Sequence, residues 1–180
     1  MSPFELAAQA IGIVAMAFNI LSYQQKTQKT VILFQMIGGM LFALNFLMLG
    51  AIVGGIMNII AAIRAIVFMN KKIHNADKRI VIGVFALLYA LSYVLTFTVF
   101  EKEFTIINGI IELLPIIAMT ATTISFCLRD ARSIRRYGLV SSPLWLIYNS
   151  VNFAIGAIIC EVLSLLSIII GIIRLDRKRG

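Results

Sequence analysis

The feature that most restricts the fold of this sequence is a series of long apolar runs separated by short clusters of basic residues. About twenty apolar residues cross a bilayer core of roughly 30 Å as an α-helix. No run alternates apolar and polar residues as the strands of a membrane barrel would. The fold class is therefore all-α and integral to a membrane. We predict seven transmembrane helices, at Phe4–Leu21, Val31–Leu49, Ile52–Met69, Ile80–Phe100, Phe104–Leu128, Leu139–Ile155 and Ile158–Ile173.

Composition excludes the other classes to which a strongly basic chain could belong. The chain is 61% hydrophobic and 13% charged, whereas soluble proteins average about 45–50% and about 25%. A soluble domain of this size has too little interior to bury so much apolar surface, and a disordered chain would be far more polar. A net charge of +8 would suit nucleic-acid binding. The charge lies in the gaps between apolar runs, so we expect the lipid bilayer and no nucleic acid as partner.

The distribution of basic residues predicts how the helices are oriented. Fifteen of the sixteen Lys and Arg residues follow the first, third, fifth and seventh runs or lie in their last turns. The exception is Lys102, between Glu101 and Glu103. Cytoplasmic segments of membrane proteins carry the excess of Lys and Arg. We therefore predict that the amino terminus lies outside the cytoplasm and the carboxyl terminus inside it.

An internal repeat emerges when the sequence is shifted by 103 residues, because two groups of three runs then superpose without a gap. We interpret the chain as one membrane domain over residues 1–180. It contains a three-helix repeat at 4–69, a linker helix at 80–100 and a second repeat at 104–175. The linker turns the second repeat around, so that the two run parallel in a 3+1+3 arrangement, as in some transporters. The shift pairs several unusual residues: Gln9 with Glu112, Gly12 with Pro115, Phe42 with Trp145, Asn45 with Tyr148, and Asn58 with Glu161.

This layout resembles the SWEET and PQ-loop sugar-transporter superfamily. Glu112-Leu-Leu-Pro115, Trp145-Leu-Ile-Tyr148-Asn149 and Glu161, with a Leu49-Gly50 turn leading to Asn58 and Arg64, resemble the bacterial inner membrane protein YgjV family. The resemblance implies a multi-pass protein of the bacterial inner membrane. The sequence departs from the superfamily at its Pro-Gln pairs, where Gln24-Gln25 and Cys127-Leu128 stand instead.

Polar side chains within the apolar runs are the candidate site residues, because a charged group at mid-bilayer costs about 2.5–3.5 kcal/mol on insertion scales. The resemblance implies substrate contact for Asn58, and the repeat places Glu161 at the equivalent position. Each lies sixteen residues after an aromatic residue, across a tight turn expected near Gly50 or Gly156. Alternatively, the polar residues hold helices together and the Trp is an interfacial anchor. The predicted substrate-binding residues are Phe42, Asn58, Glu112, Trp145, Asn149 and Glu161.

The best functional hypothesis is a transporter that moves a small polar solute by alternating access. Two acids and no deep Lys or Arg are expected to face the pocket, since Arg64 can reach the membrane surface from the end of its helix. The solute is therefore predicted to be sugar-like, uncharged or cationic. The alternative is a non-transporting receptor, sensor or scaffold of the same fold, which the missing Pro-Gln pairs favour. A water-accessible pocket touching both Asn58 and Glu161 would favour the transporter, and a closed bundle would favour the alternative.

Enzymatic activity is not expected. The single histidine, His74, lies in a basic segment without Cys or acidic residues at metal-ligand spacing, and the sequence has no nucleotide-binding or hydrolase motif. We predict no organic cofactor and no metal. The sequence leaves a homo-oligomer open, although a monomer already contains both repeats.

Overall fold

The structure, a computed structural model, describes residues 3–48, 52–70, 77–99, 101, 103–151 and 155–176. Every regular element in these ranges is helical, and each predicted apolar run corresponds to one helix, so the all-α class is confirmed. The helices are α1 (Pro3–Ser22), α2 (Gln28–Met48), α3 (Ile52–Met69), α4 (Lys78–Thr98), α5 (Ile106–Cys127), α6 (Ala131–Val151) and α7 (Ile155–Gly171), which continues as a π-helical turn over Ile172–Asp176.

Helix length and hydropathy differ among the seven. Within the described ranges, four helices are long and apolar enough to cross a membrane: α2, α4, α5 and the stretch Gly156–Asp176 of α7 and its π-helical turn. The apolar parts of α1 and α3 are shorter, at Leu6–Ser22 and Gly55–Met69. Helix α6 departs most from the prediction. It begins at Ala131 rather than Leu139, because the basic segment before the apolar run continues the same helix.

The connections predicted as tight turns fall partly outside the described residues. The turn at Gly50-Ala51 lies outside them, as do residues 152–154. Gly156 and Ala157, which we expected in the second turn, lie instead within α7. The second connection is therefore earlier in the sequence than predicted.

Most of the helix–helix contacts lie within two groups of three helices. We call α1–α3 the first trio and α5–α7 the second trio. In the first trio α2 packs between α1 and α3, and in the second α6 packs between α5 and α7. Helix α4 packs against α5, while α1 contacts α7, α2 contacts α6 and α3 contacts α5. Large apolar side chains such as Leu87 and Ile106 are 70% and 81% exposed, as expected for surfaces that face lipid rather than water.

The middle helices of the two trios begin with equivalent caps. The side chain of Thr27 accepts a hydrogen bond from the Thr30 backbone N–H at 3.2 Å, and that of Asp130 accepts one from the Ser133 N–H at 2.6 Å. In each case the hydroxyl three residues on also bonds to the capping side chain, at 2.8 Å for Thr30 and 2.6 Å for Ser133. Such caps satisfy N–H groups that a helix start leaves without partners. The two caps are 103 residues apart.

The first helices of the two trios end in equivalent ways. The Ser22 hydroxyl donates to the carbonyl oxygen of Asn19 at 2.6 Å, and the Ser125 hydroxyl donates to that of Thr122 at 2.6 Å. Both serines are fully buried. They too are 103 residues apart, so the ends of α1 and α5 and the starts of α2 and α6 repeat at the interval found in the sequence.

Candidate functional site

A polar cavity of about 190 Å³ lies between the two trios, and all six of their helices line it. We call it the main cavity. A second cavity of about 230 Å³, the side cavity, extends toward α4 and includes Ser92, Tyr93 and Thr96. Six residues line both cavities, among them Asn58, Trp145 and Asn149. The two cavities are therefore neighbouring spaces on one interface.

The structure brings five of the six predicted site residues to the main cavity. They come from four helices: Phe42, Asn58, Trp145, Asn149 and Glu161. The sixth, Glu112, lines the side cavity instead, where it is buried. The two glutamates therefore do not face the same space, although Asn58, Trp145 and Asn149 border both.

Repeat-related residues from both trios line the main cavity. Its lining contains six pairs whose members are 103 residues apart, each with one member from the first trio and one from the second. Equivalent positions of the two trios thus face one space. The pairs are Asn19 with Thr122, Gly39 with Ser142, Phe42 with Trp145, Phe46 with Asn149, Met57 with Cys160, and Asn58 with Glu161.

Glu112 and its surroundings also have a counterpart in the first trio. The Tyr148 hydroxyl donates to Glu112 Oε2 at 3.4 Å, which joins α6 to α5. In the first trio, Asn45 Nδ2 donates to the carbonyl oxygen of Ala8 at 2.7 Å and joins α2 to α1. Asn45 and Tyr148 are a predicted repeat pair. The contact of Glu112 therefore has a structural component, since it helps to hold two helices of one trio together.

Arg64 does not reach the membrane surface as we predicted, because α4 and α5 pack over it. The side chain is 5% exposed and lines the main cavity. Its Nη1 donates to the Tyr89 hydroxyl at 3.1 Å, the Met119 carbonyl oxygen at 3.2 Å and the Thr123 hydroxyl at 3.4 Å. The guanidinium carbon lies 5.1 Å from the centre of the Phe126 ring, a favourable cation–π position. A cation therefore borders the cavity, which removes the reason for expecting an uncharged or cationic solute.

Arg135 joins α6 to the π-helical turn after α7 and to the α1–α2 connection, at the end of the bundle that also holds the α5–α6 connection. We call this end the basic-loop end. Arg135 is 2% exposed and forms an ion pair with Asp176, with hydrogen bonds from Nε and Nη2. Its Nη1 donates to the carbonyl oxygens of Gln25 at 2.9 Å and Tyr23 at 3.4 Å. In the sequence, Arg135 is one of the basic residues that predict orientation, and nothing there predicts its burial.

Glutamine side chains tie the trios together at the same end. Gln24 Nε2 donates to the carbonyl oxygen and the hydroxyl of Ser167 at 2.6 and 2.9 Å. Ser167 in turn donates to the Ile20 carbonyl oxygen at 2.7 Å. Gln28 Nε2 donates to the carbonyl oxygen of Phe126 at 2.6 Å. Between them, these bonds join α1 to α7 and α2 to α5.

Several cavity residues were not selected from the sequence. Tyr23, Ser141 and Ser142 line the main cavity, yet a tyrosine and two serines in apolar runs are common in helix interfaces. The repeat contained a usable signal, because Ser141-Ser142 falls on Gly38-Gly39 at the shift of 103. Small residues at equivalent positions of both middle helices leave room for a cavity between them.

Apolar helices around a shared polar interior define a multi-pass helical membrane protein. Comparison with protein families then identifies the family of this membrane protein. The family model Imp-YgjV, described as bacterial inner membrane protein, matches residues 6–179. The chain belongs to this family, which confirms the family predicted from the sequence and places the protein in the bacterial inner membrane. No curated protein and no solved structure matches the chain. The likeness to the SWEET and PQ-loop transporters stays a prediction.

Proposed function

We propose that this protein is a carrier that moves a small polar solute across the bacterial inner membrane by alternating access. The observation that carries the proposal is the main cavity, which six repeat-related pairs line from both trios. It touches both Asn58 and Glu161, the arrangement that favours a carrier over a closed bundle. Substrate sites at the interface of structural repeats are the common design of such carriers.

The proposed architecture is two parallel three-helix repeats, residues 4–69 and 104–175, joined by the linker helix at 80–100. The equivalent caps at Thr27 and Asp130 support it, as do the equivalent helix ends at Ser22 and Ser125. Each middle helix packs between the other two of its trio. The two trios would move as units, with the solute bound between them.

The proposed state of the carrier is closed toward the cytoplasm. Among the described residues, one group of hydrogen bonds between the trios lies at the basic-loop end, around Arg135, Gln24 and Gln28, and a second lies beside the main cavity, from Asn19 and Arg64. We propose that the basic-loop end is the cytoplasmic face, because the excess of Lys and Arg favours it, with the amino terminus outside and the carboxyl terminus in the cytoplasm. Transport would require these bonds to break while the opposite end closes.

The roles proposed for the site residues follow from their chemistry. Asn58, Asn149 and Glu161 offer amide and carboxyl groups that hydrogen-bond a polar solute, while Phe42 and Trp145 supply flat apolar surfaces beside it. A few polar groups among apolar walls are typical of small-molecule sites. Glu112, in the side cavity, is proposed as a neighbouring polar group that the solute meets on its path.

Replacing Asn58 by alanine tests this site. In proteoliposomes supplied with labelled sugars, amino acids and nucleosides, we expect the wild-type protein to take up at least one solute. We expect Asn58→Ala to lower that uptake at least tenfold at low solute concentration, because the proposed hydrogen bond to the solute is lost. The control is Asn70→Ala, the same change at an exposed position just beyond α3. Equal uptake by wild type and Asn58→Ala would contradict the assignment.

The second candidate is a receptor, sensor or scaffold of the same fold, without transport. The ion pair of Arg135 with Asp176 favours it, because a buried, multiply bonded arginine is costly to release during a transport cycle. Solute binding without uptake by proteoliposomes is the result that would select this candidate. Both candidates exclude enzymatic activity and need no cofactor or metal.

A further inference from the structure

We propose that the solute carries a carboxylate group and that Arg64 binds it, an inference that rests on the proposed function and names its substrate class. The starting observation is an incompletely satisfied cation at the main cavity. Arg64 is 5% exposed, and its Nε is buried without a hydrogen-bond partner. Among the described residues, no carboxylate forms an ion pair with it.

The other buried arginine of the bundle shows what a structural role looks like in this protein. Arg135 is equally buried, but two of its nitrogens bond to the carboxylate of Asp176 and the third bonds to carbonyl oxygens. Arg64 has neutral partners at a single nitrogen, Nη1, and an aromatic ring beside it. Burial of a cation is unfavourable unless an anion accompanies it. The geometry points to an anion supplied by the solute.

The chemistry of the cavity favours a carboxylate as that anion. The planar guanidinium matches the two oxygens of a carboxylate, and one cation balances one negative charge. A doubly charged phosphate would leave a second charge near Glu161, which lines the same cavity. A volume of about 190 Å³ also limits the solute to a small molecule. The remaining polar lining is mostly amides and hydroxyls, among them Asn19, Thr122, Ser141, Ser142 and Asn149.

Position along α3 fixes how the solute would lie. Arg64 follows Asn58 by six residues, so it lies about 9 Å closer to the basic-loop end at 1.5 Å per residue. The carboxylate would therefore face that end, and the hydroxyl or amino part of the solute would face Asn58 and Glu161. In this orientation the solute contacts polar groups at both ends of the cavity.

Matched pairs of acids and amides test the proposal without knowledge of the natural solute. Binding to the purified full-length protein would be measured by melting temperature, which a ligand of the folded state raises. The probes are acetate against acetamide, lactate against lactamide and glycerate against glyceramide. We expect the wild-type protein to bind the acid of at least one pair at least tenfold more tightly than its amide. We expect Arg64→Gln to bring that ratio close to one.

Two further variants distinguish a role of Arg64 in solute binding from a role in holding the helices together. Arg79→Gln removes the same charge from an exposed position at the start of α4, and the preference for the acid is expected to persist. Arg64→Lys keeps the charge but loses the planar fork, so a reduced preference is expected, and it carries the test if Arg64→Gln does not fold. The proposal is overturned if wild type binds acid and amide equally or binds neither. A preference that survives Arg64→Gln, or that is unchanged in Arg64→Lys, also overturns it.

Uptake by proteoliposomes distinguishes failure of this inference from failure of the carrier proposal. Preferential binding of a carboxylate without uptake would reject the carrier and support Arg64 as an anion site. Uptake of a neutral solute by a protein that does not prefer acids would keep the carrier and reject the role of Arg64.

Discussion

Replacing Arg135 by alanine is expected to lower the melting temperature of the purified protein by about 10 °C. The substitution leaves the Asp176 carboxylate without its cation and removes the donor to the carbonyl oxygens of Gln25 and Tyr23. Breaking a buried ion pair by removing one partner costs about 3–5 kcal/mol. In a protein of this size each kcal/mol corresponds to about 2–4 °C. Thermal unfolding followed by circular dichroism measures the change.

The neighbouring residue supplies the control for this experiment. Arg136 is exposed on the same helix, so Arg136→Ala removes an identical side chain without breaking the contacts of α6 with the α1–α2 connection and the π-helical turn. We expect its melting temperature to stay within about 2 °C of wild type, since exposed charges contribute little to stability. A similar melting temperature for both variants would contradict the role assigned to Arg135.

Filling the main cavity from Gly39 is expected to stop uptake without unfolding the protein. A Cβ atom at this position would lie 3.7 Å from the Asn58 carbonyl oxygen and 3.9 Å from the Ala62 nitrogen, which is ordinary van der Waals contact. The Cβ atom of Gly39→Met therefore fits at this position of α2, and we expect its flexible side chain to occupy the cavity that Gly39 lines. We expect uptake to fall to the level of liposomes without protein, because the solute and the new side chain compete for one small space.

The same substitution in α4 is the matched control. A Cβ atom at Gly83 would have no neighbour within 4 Å, and the residue is exposed. Gly83→Met should leave uptake unchanged, since methionine is also a better helix former than glycine. Normal uptake by a folded Gly39→Met variant would show that the main cavity is not the transport site.

Much of the fold follows from the sequence because the bilayer leaves few choices. A chain that crosses lipid must satisfy its backbone hydrogen bonds internally, so each apolar run becomes a helix. The predicted start of α6 was wrong because hydropathy marks the point at which a helix enters lipid. The helix itself starts at Ala131, where Asp130 caps it. The prediction that Arg64 reaches the membrane surface was wrong for a different reason. Its burial depends on Tyr89 and Thr123, from helices whose packing against α3 the sequence does not specify.

The candidate site was predictable where the repeat supplied pairs. Phe42 with Trp145 and Asn58 with Glu161 stand out because unusual residues coincide at one shift, and all four line the main cavity. Glu112 also stands out as an acid in an apolar run. Its assignment to the side cavity depends on how α4 packs against α5, which periodicity does not reveal.

Access to the cavity from each side of the membrane tests alternating access most directly. Ala61, which lines the main cavity, would be replaced by cysteine in a chain whose Cys127 and Cys160 are alanine. A membrane-impermeant thiol reagent would then be applied to right-side-out and inside-out vesicles, below the melting temperature of every variant. We predict labelling from the outer side when Arg135 is intact, and faster labelling from the cytoplasmic side after Arg135→Ala. Labelling from neither side, or cytoplasmic labelling that Arg135→Ala leaves unchanged, would contradict the alternating-access account.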